Sequence, residues 1–132
     1  MKEFTTKRQC LGLLGEKLAY RWLLQKGYII HSVNYSCRKG EIDIICELSG
    51  VTHFVEVKSV LQRNDSETTY NPAENVTRKK VLRLLSTIYD YRSSHMVSPN
   101  WVLDVVCVFI ANDKKQARVQ VFENILAYIL TD

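Results

Sequence analysis

Apolar residues recur along this chain in two different periods, and each change of period marks a boundary between elements. Residues 9–26 carry apolar side chains at spacings of three and four, which is typical of an amphipathic helix, and Gly27 ends the run. The predicted buried stripe of this helix comprises Leu11, Leu14, Leu18 and Trp22.

Three β-rich runs follow the helix. Residues 28–35 predict a first strand, with Tyr28, Ile29 and Ile30 entering the core. Residues 41–48 and 51–60 are two further runs rich in β-branched residues, separated by a turn signal at residues 49–50. The sequence therefore predicts an antiparallel hairpin over residues 41–60.

A polar segment at residues 61–70 predicts a loop, and a second helix is expected after it. Asn71 is a suitable N-cap, Pro72 suits the first turn, and Glu74 stands three residues after the cap. We expect this helix to continue to about Arg92. Its predicted inward side chains are Leu84, Leu85 and Ile88.

The last third of the chain predicts two strands and a short helix. After a loop at residues 93–100, residues 101–110 are almost entirely apolar, as in a strand buried on both faces. A turn at residues 112–115 leads to an edge strand at 117–122 and a closing helix at 123–130. The order α-β-β-β-α-β-β-α predicts an α/β fold, in which a mixed sheet is flanked by helices.

Length and composition indicate an ordinary globular chain. Its 132 residues predict a single domain over 1–132, with 46% hydrophobic and 24% charged residues. Eighteen basic residues against 14 acidic ones give a net charge of +4, which is compatible with a nucleic-acid partner without being diagnostic of one.

The four cysteines argue against a zinc site. They form no CxxC pair and have no histidine at ligand spacing, while Cys46 and Cys107 lie in apolar runs and are expected to pack as buried hydrophobes. The amino terminus has no apolar signal core, and no run approaches 18 apolar residues. We therefore expect a cytoplasmic protein without disulfides or membrane association.

Both strands of the predicted hairpin carry acids among apolar neighbours. Asp43 interrupts the first strand, and Glu56 and Lys58 share one face of the second, because residues two apart in a strand point the same way. Such charges are costly to desolvate unless they are paired or bind a metal. The set suits a magnesium-dependent phosphodiesterase, and a purely structural Asp–Lys–Glu network is the alternative.

The order of these residues resembles the signature of the PD-(D/E)XK nucleases, the restriction-endonuclease-like superfamily. Within it, the chain resembles the small YraN-like bacterial family, which is related by fold to archaeal Holliday-junction resolvases. The resemblance covers roughly residues 9–110 and rests on an ordered set of motifs: GxxGE at 12–16, KGY at 26–28, NY at 34–35, GEID at 40–43 and FVEVK at 54–58.

The resemblance implies a restriction-endonuclease-like core and a catalytic set of Asp43, Glu56 and Lys58. Asp43 and Glu56 are the expected ligands of Mg²⁺ or Mn²⁺, with the backbone carbonyl of Val57 as a further candidate. Lys58 would orient or deprotonate the attacking water. Glu16, on the first helix, is a second-tier ligand that would reach the metal through water, and the alternative is a solvated helix residue.

The basic run of the second helix is the candidate DNA-binding element. Lys79 and Arg83 are a like-charge pair four residues apart near a helix amino end, an arrangement that a bound phosphate would stabilise. The resemblance also places Lys80 near the active site, where we expect it to touch only flanking phosphates. A solvated basic face is the alternative.

Three functions remain open from the sequence. The first is a metal-dependent DNA endonuclease acting on structured, branched or damaged DNA, with a homodimer left open. The second is a catalytically silent nucleic-acid-binding protein that keeps the nuclease fold, and the third is a structural protein. Arginines common in the resembling family are missing around Ser36, after Lys58 and at Val102, which thins the expected phosphate-binding surface. Asp104, within the long apolar strand, is expected to be a structural acid paired with a basic residue.

Overall fold

The computed structural model describes residues 6–62 and 77–129, and its elements follow the predicted order. In chain order they are α1 (Lys7–Gln25), β1 (Ile29–Cys37), β2 (Gly40–Leu48), β3 (Val51–Gln62), α2 (Arg78–Ser94), β4 (Trp101–Ala111), β5 (Ala117–Phe122) and α3 (Leu126–Ile129).

The five strands form one mixed sheet in the order β1-β2-β3-β4-β5. Neighbours pair antiparallel except β3 and β4, which run parallel from the pair Thr52–Trp101 to the pair Gln62–Ala111. The predicted hairpin is present, with Leu48 opposite Val51 at its closed end. The predicted α/β fold with a mixed sheet is confirmed.

The two long helices cover opposite faces of the sheet. Phe54 packs with Leu84 and Ile88 of α2, whereas the next residue, Val55, packs with Ala19 of α1. Because successive strand residues point to opposite faces, this division places α1 and α2 on the two sides of β3. β3, paired on both edges and covered on both faces, is the centre of the molecule.

The buried line of α1 differs from the predicted stripe. Gly15, Ala19 and Leu23 are its fully buried residues, and the predicted Leu11, Leu14, Leu18 and Trp22 are half-buried along the margin. Two of the three, Gly15 and Ala19, are small, and at Gly15 the helix lies close to β3. The predicted stripe follows the large apolar side chains, and these lie beside the line of closest approach between helix and sheet rather than on it.

The start of α2 also differs from the prediction. The helix begins at Arg78, and Thr77 has an extended backbone and accepts a hydrogen bond from the Lys80 N–H through its side chain. The prediction of one helix running from Asn71 is therefore wrong, because Thr77 interrupts it; Asn71 itself lies outside the described residues. Residues 61 and 62, which were predicted to belong to the loop at 61–70, form the end of β3, and residues 63–70 lie outside the described residues.

The edge position of β1 changes the environment of one predicted core residue. Tyr28 is buried, but Ile29 is 58% exposed. Ile30 packs in the cluster that α1 covers, so the neighbouring Ile29 points to the other face of β1, where it is open to solvent. The prediction that Ile29 enters the core is wrong.

Candidate functional site

The candidate site lies where β2 and β3 separate. Their pairing runs from the turn to Ile44 opposite Val55, after which β2 continues beside β1 and β3 continues beside β4. Asp43 stands at this fork, and its Oδ2 accepts a hydrogen bond of 2.7 Å from the Val57 N–H. A side-chain carboxylate thus takes the place that a partner strand's carbonyl would occupy.

Glu56 lies at the centre of the charged groups. Its Oε1 is 3.4 Å from the Nζ of Lys58 and 3.4 Å from the Nζ of Lys80. Glu56 and Lys58 lie together on one strand face, as predicted, and Lys80 reaches them from α2. The expectation that Lys80 would touch only flanking phosphates is wrong, because the side chain contacts a candidate metal ligand directly.

Burial, together with neighbouring like charges, shifts the pKa values of two of these groups. Burial and the nearby Glu56 carboxylate raise the pKa of Asp43 to about 7, although the Val57 hydrogen bond and Lys58 act in the opposite direction. Burial and the neighbouring Lys58 lower the pKa of Lys80, while Glu56 opposes this. The fork therefore holds charged groups in a poorly solvated position, which is common in functional sites.

Glu16 reaches the same fork from α1. Burial, followed by the charges of Glu41 and Glu56, raises its pKa, and a hydrogen bond with Asp43 partly offsets the effect. This approach depends on Gly15, since a Cβ there would lie 1.7 Å from the Ser59 Oγ of β3. Glu16 therefore lies beside Asp43, and its role as a second-tier metal ligand stays a prediction.

A cavity of about 580 Å³ opens at the fork between β2, β3 and α2. Asp43, Glu56 and Glu41 line one wall, and cationic side chains line the other; the cationic residues are Lys79, Lys80 and Arg83. The structure thus brings the predicted acids and the predicted basic run to one cavity with oppositely charged walls.

Three further lining residues were assigned no site role from the sequence: Gly40, Glu41 and Thr77. Gly40 lets the β1–β2 turn approach α2, because a Cβ there would lie 2.9 Å from the Thr87 Oγ1. The GEID motif contains Gly40 and Glu41 and could have indicated both. No local signal marked Thr77, whose role as N-cap became evident only with the helix boundary.

The donor set suits a hard divalent cation. Mg²⁺ prefers oxygen ligands and keeps several of its waters, so two carboxylates are a sufficient protein contribution. Within residues 6–62 and 77–129, no three His, Cys, Asp or Glu side chains are grouped closely enough to hold an ion by themselves. The Val57 carbonyl remains a candidate, because the amide and carbonyl of one extended residue point to the same side and its amide faces Asp43.

Asp104 has a structural role, as predicted. It is 2% exposed, and its Oδ2 lies 2.5 Å from His53 Nδ1 while its Oδ1 accepts a hydrogen bond from the Asn124 N–H. The basic partner is thus His53, which the sequence had given no role. The pair joins β3 to β4 and fixes the segment that follows β5.

The fold and the fork define an α/β protein with a mixed sheet and a carboxylate–lysine cluster where two of its strands diverge. The chain belongs to the family described as "Uncharacterised protein family UPF0102", which it matches over residues 15–108. This span includes every candidate site residue from Glu16 to Arg83. The expected YraN-like membership is confirmed.

Relatives with the same family name match nearly the whole chain. A UPF0102 protein of Campylobacter fetus is 33% identical over 119 residues, covering 90% of this chain and 96% of the relative. A UPF0102 protein of Campylobacter jejuni is 34% identical over 114 residues, covering 86% and 91%. One from Nitratiruptor is 32% identical over 119 residues, covering 90% and 95%. No helix among the described residues is long and apolar enough to cross a membrane.

Proposed function

We propose that this protein is a metal-dependent DNA endonuclease that hydrolyses phosphodiester bonds, on branched or damaged DNA. The observation that carries the proposal is the convergence of Asp43 and Glu56, from two diverging strands, on a cavity whose opposite wall is cationic. Such a cavity has a place for a divalent cation on one side and for phosphate on the other.

The acidic wall would hold the metal. Asp43 and Glu56 provide carboxylate oxygens, and Glu16 lies close enough to Asp43 to contribute through water. The raised pKa of Asp43 supports this role, because a bound cation would stabilise the ionised carboxylate that burial and Glu56 now disfavour. When bound, Mg²⁺ would polarise the scissile phosphate and acidify an attacking water.

The lysines have separate tasks in this scheme. Lys58, 3.4 Å from Glu56, would orient the attacking water, and its neutral amine would accept the proton of that water. Lys80, also 3.4 Å from Glu56, would balance negative charge as it develops on the phosphate. Lys79 and Arg83 extend the cationic wall and would fix the neighbouring phosphate.

A catalytically silent nucleic-acid-binding protein is the second candidate, and one observation favours it. Glu56 already contacts two amines, Lys58 and Lys80, which is the arrangement expected of an ion-pair network that is complete without a metal. The cationic wall would then bind phosphate without chemistry. The two candidates differ in whether cleavage occurs at all.

The decisive experiment is single-turnover cleavage of linear, flapped and four-way DNA with Mg²⁺ or Mn²⁺, beside an equilibrium binding assay. We expect metal-dependent cleavage by the wild type, abolished by Asp43→Asn and by Lys58→Ala, with binding retained by both variants. Glu47→Gln is the matched control, because Glu47 is an acid on the same strand that pairs with His31 at the surface. It should cleave at the wild-type rate.

The outcomes separate the candidates. Binding without cleavage under any metal would support the silent module. Cleavage that persists at the wild-type rate in Asp43→Asn would place the activity elsewhere and end the nuclease assignment. Absence of binding at low salt would remove both candidates.

A further inference from the structure

The outer face of α2 exposes two large apolar side chains beside cations. Leu82 is 56% exposed and Tyr89 is 66% exposed. They are seven residues apart and therefore share one stripe, which also includes the exposed Arg78, four residues before Leu82. This stripe lies alongside the cationic wall of the cavity, because Lys79 is three residues before Leu82 and Arg83 directly follows it.

The β1–β2 turn adds a further cation over the tyrosine. The Nζ of Lys39 lies 5.6 Å from the centroid of the Tyr89 ring. The next residue, Gly40, packs against Thr87 and Arg83 and also lines the cavity. With a rise of about 1.5 Å per helical residue, Tyr89 lies about 9 Å along the axis from Arg83, within a few nucleotides of the candidate site.

The chemistry of this face matches an unpaired nucleic-acid strand. Exposed aromatic rings in a cationic surface are the platforms on which single-stranded bases stack, while the cations follow the backbone. The nearby Asp90 carboxylate is engaged with β1, where its Oδ2 accepts a 2.6 Å hydrogen bond from the Tyr35 hydroxyl. Charge and ring exposure thus favour a polyanion that carries flat apolar groups.

We propose that Tyr89, flanked by Lys39 and Leu82, stacks an unpaired base of the DNA whose neighbouring phosphates contact Lys79 and Arg83. The preferred substrate class is then DNA with a single-stranded segment beside the scissile bond, such as a flap or an opened junction, rather than continuous duplex. The inference rests on the proposed function for the identity of the polymer, and it adds the feature that selects among DNA structures.

The test compares flapped and fully paired DNA carrying 2-aminopurine at the predicted stacking position, in the absence of divalent metal. The wild type should quench the fluorophore in the flap and bind that DNA more tightly than the duplex. Tyr89→Ala should lose the quenching and bind the flap about 5- to 150-fold more weakly, the range expected for one stacked base. Its affinity for duplex should change less than twofold.

Two variants serve as controls. Tyr89→Trp keeps a stacking ring and should retain both quenching and flap preference. Tyr20→Ala removes another exposed tyrosine, on α1 at the opposite face of the sheet, and should behave as the wild type. Because Tyr89 is exposed, the thermal unfolding midpoint of Tyr89→Ala should stay near that of the wild type.

The failure of this inference is distinguishable from failure of the proposed function. If cleavage depends on Asp43 while Tyr89→Ala keeps the flap preference, the stacking platform is wrong and the nuclease stands. Equal losses on flap and duplex would also overturn the platform. If Tyr89→Ala binds all DNA normally but reduces association between protein molecules, the face is a protein interface instead.

Discussion

The Val57 amide and the Asp43 carboxylate are joined by a 2.7 Å hydrogen bond at the point where β2 leaves β3. This contact holds an acid in the opening of the sheet instead of letting the two strands pair further. Its energetic consequence is that Asp43 is retained close to Glu56 in a poorly solvated position. Function and stability should therefore conflict at this residue.

Replacing Asp43 should stabilise the metal-free protein at neutral and alkaline pH. The pKa of Asp43 is raised from 3.8 to about 7, so its contribution to stability is present below pH 4 and is lost as the pH rises through 7. At pH 8 we expect Asp43→Asn to be about 1–2 kcal/mol more stable than wild type, a value reduced for partial solvent exposure. Thermal unfolding across pH 4–8 measures it.

Added Mg²⁺ or Mn²⁺ provides the second arm of that measurement. The metal should raise the unfolding midpoint of the wild type and leave that of Asp43→Asn unchanged, because binding to the folded state alone stabilises it. Equal shifts in both proteins would show that the ion binds elsewhere.

Gly15 should be intolerant of any side chain. A Cβ there would lie 1.7 Å from the Ser59 Oγ and 2.9 Å from its Cβ, so α1 would have to move away from β3. Gly15→Ala should lower the free energy of unfolding by about 1–3 kcal/mol. Gly12→Ala is the matched control, since a Cβ there meets nothing within 4 Å, and it should stabilise the helix by about 0.5–1 kcal/mol.

A double mutant shows whether the Gly15–Ser59 contact is the cause. In a Ser59→Gly background the Gly15→Ala change should cost clearly less, as measured by denaturant unfolding of all four proteins. Strict additivity of the two changes would contradict the steric explanation.

Removing the buried Asp104 should strongly destabilise the fold. Its carboxylate contacts His53 and accepts a hydrogen bond from the Asn124 N–H. Removing the carboxylate therefore leaves both of these groups without their partner in the core. We expect Asp104→Ala to lose about 3–5 kcal/mol. Glu47→Ala removes the partner of an exposed histidine, His31, and should lose less than about 1 kcal/mol in the same denaturant titration.

The cysteines should divide into reactive and protected pairs. Burial raises the pKa of Cys46 to about 12 and that of Cys107 to about 11, so neither forms an appreciable thiolate at neutral pH. Cys10 is exposed and Cys37 is partly exposed. An alkylating reagent at pH 7.5 should modify only the latter two until denaturant is added, as mass spectrometry would show; native labelling of Cys46 would contradict the packing.

Added salt should weaken DNA binding to a degree set by the number of cationic side chains on the cavity wall that contact phosphate. We expect the plot of the logarithm of the binding constant against the logarithm of salt concentration to have a shallow negative slope. Because few cations are clustered here, its magnitude should correspond to about three or four phosphate contacts, at about 0.9 per contact. Arg83→Ala should reduce the slope by about 0.9. Lys26→Ala is the control, because Lys26 lies over Trp22 at the far end of α1, and the slope of this variant should match that of the wild type. An affinity that does not change with salt would contradict phosphate binding altogether.

The hairpin was predictable because its evidence is local. β-branched runs on both sides of Ser49-Gly50 indicate the antiparallel pairing, and the two-residue spacing of Glu56 and Lys58 places them on one face. Asp43 was recognised because an acid within such a run is costly. These inferences use only neighbours in sequence.

The remainder depends on tertiary contacts that sequence patterns do not record. Lys80 meets Glu56 because α2 packs against the sheet beside β3, and Gly40 lets the β1–β2 turn lie close to the same helix. His53 meets Asp104 through the parallel pairing of β3 and β4, between positions 51 residues apart. The start of α2 was misplaced because Asn71 and Thr77 are both adequate caps.

The fork also limits where residues can be inserted into or deleted from the chain. One hairpin carries Asp43, Glu56 and Lys58. Because strand side chains alternate between faces, inserting or deleting one residue of β3 between the turn and Glu56 would turn the Glu56 side chain to the opposite face, away from its partners. The turn between β4 and β5, which contributes no residue to the cavity, is free of this constraint. Length variation among family members should accordingly concentrate there and be excluded from the hairpin strands.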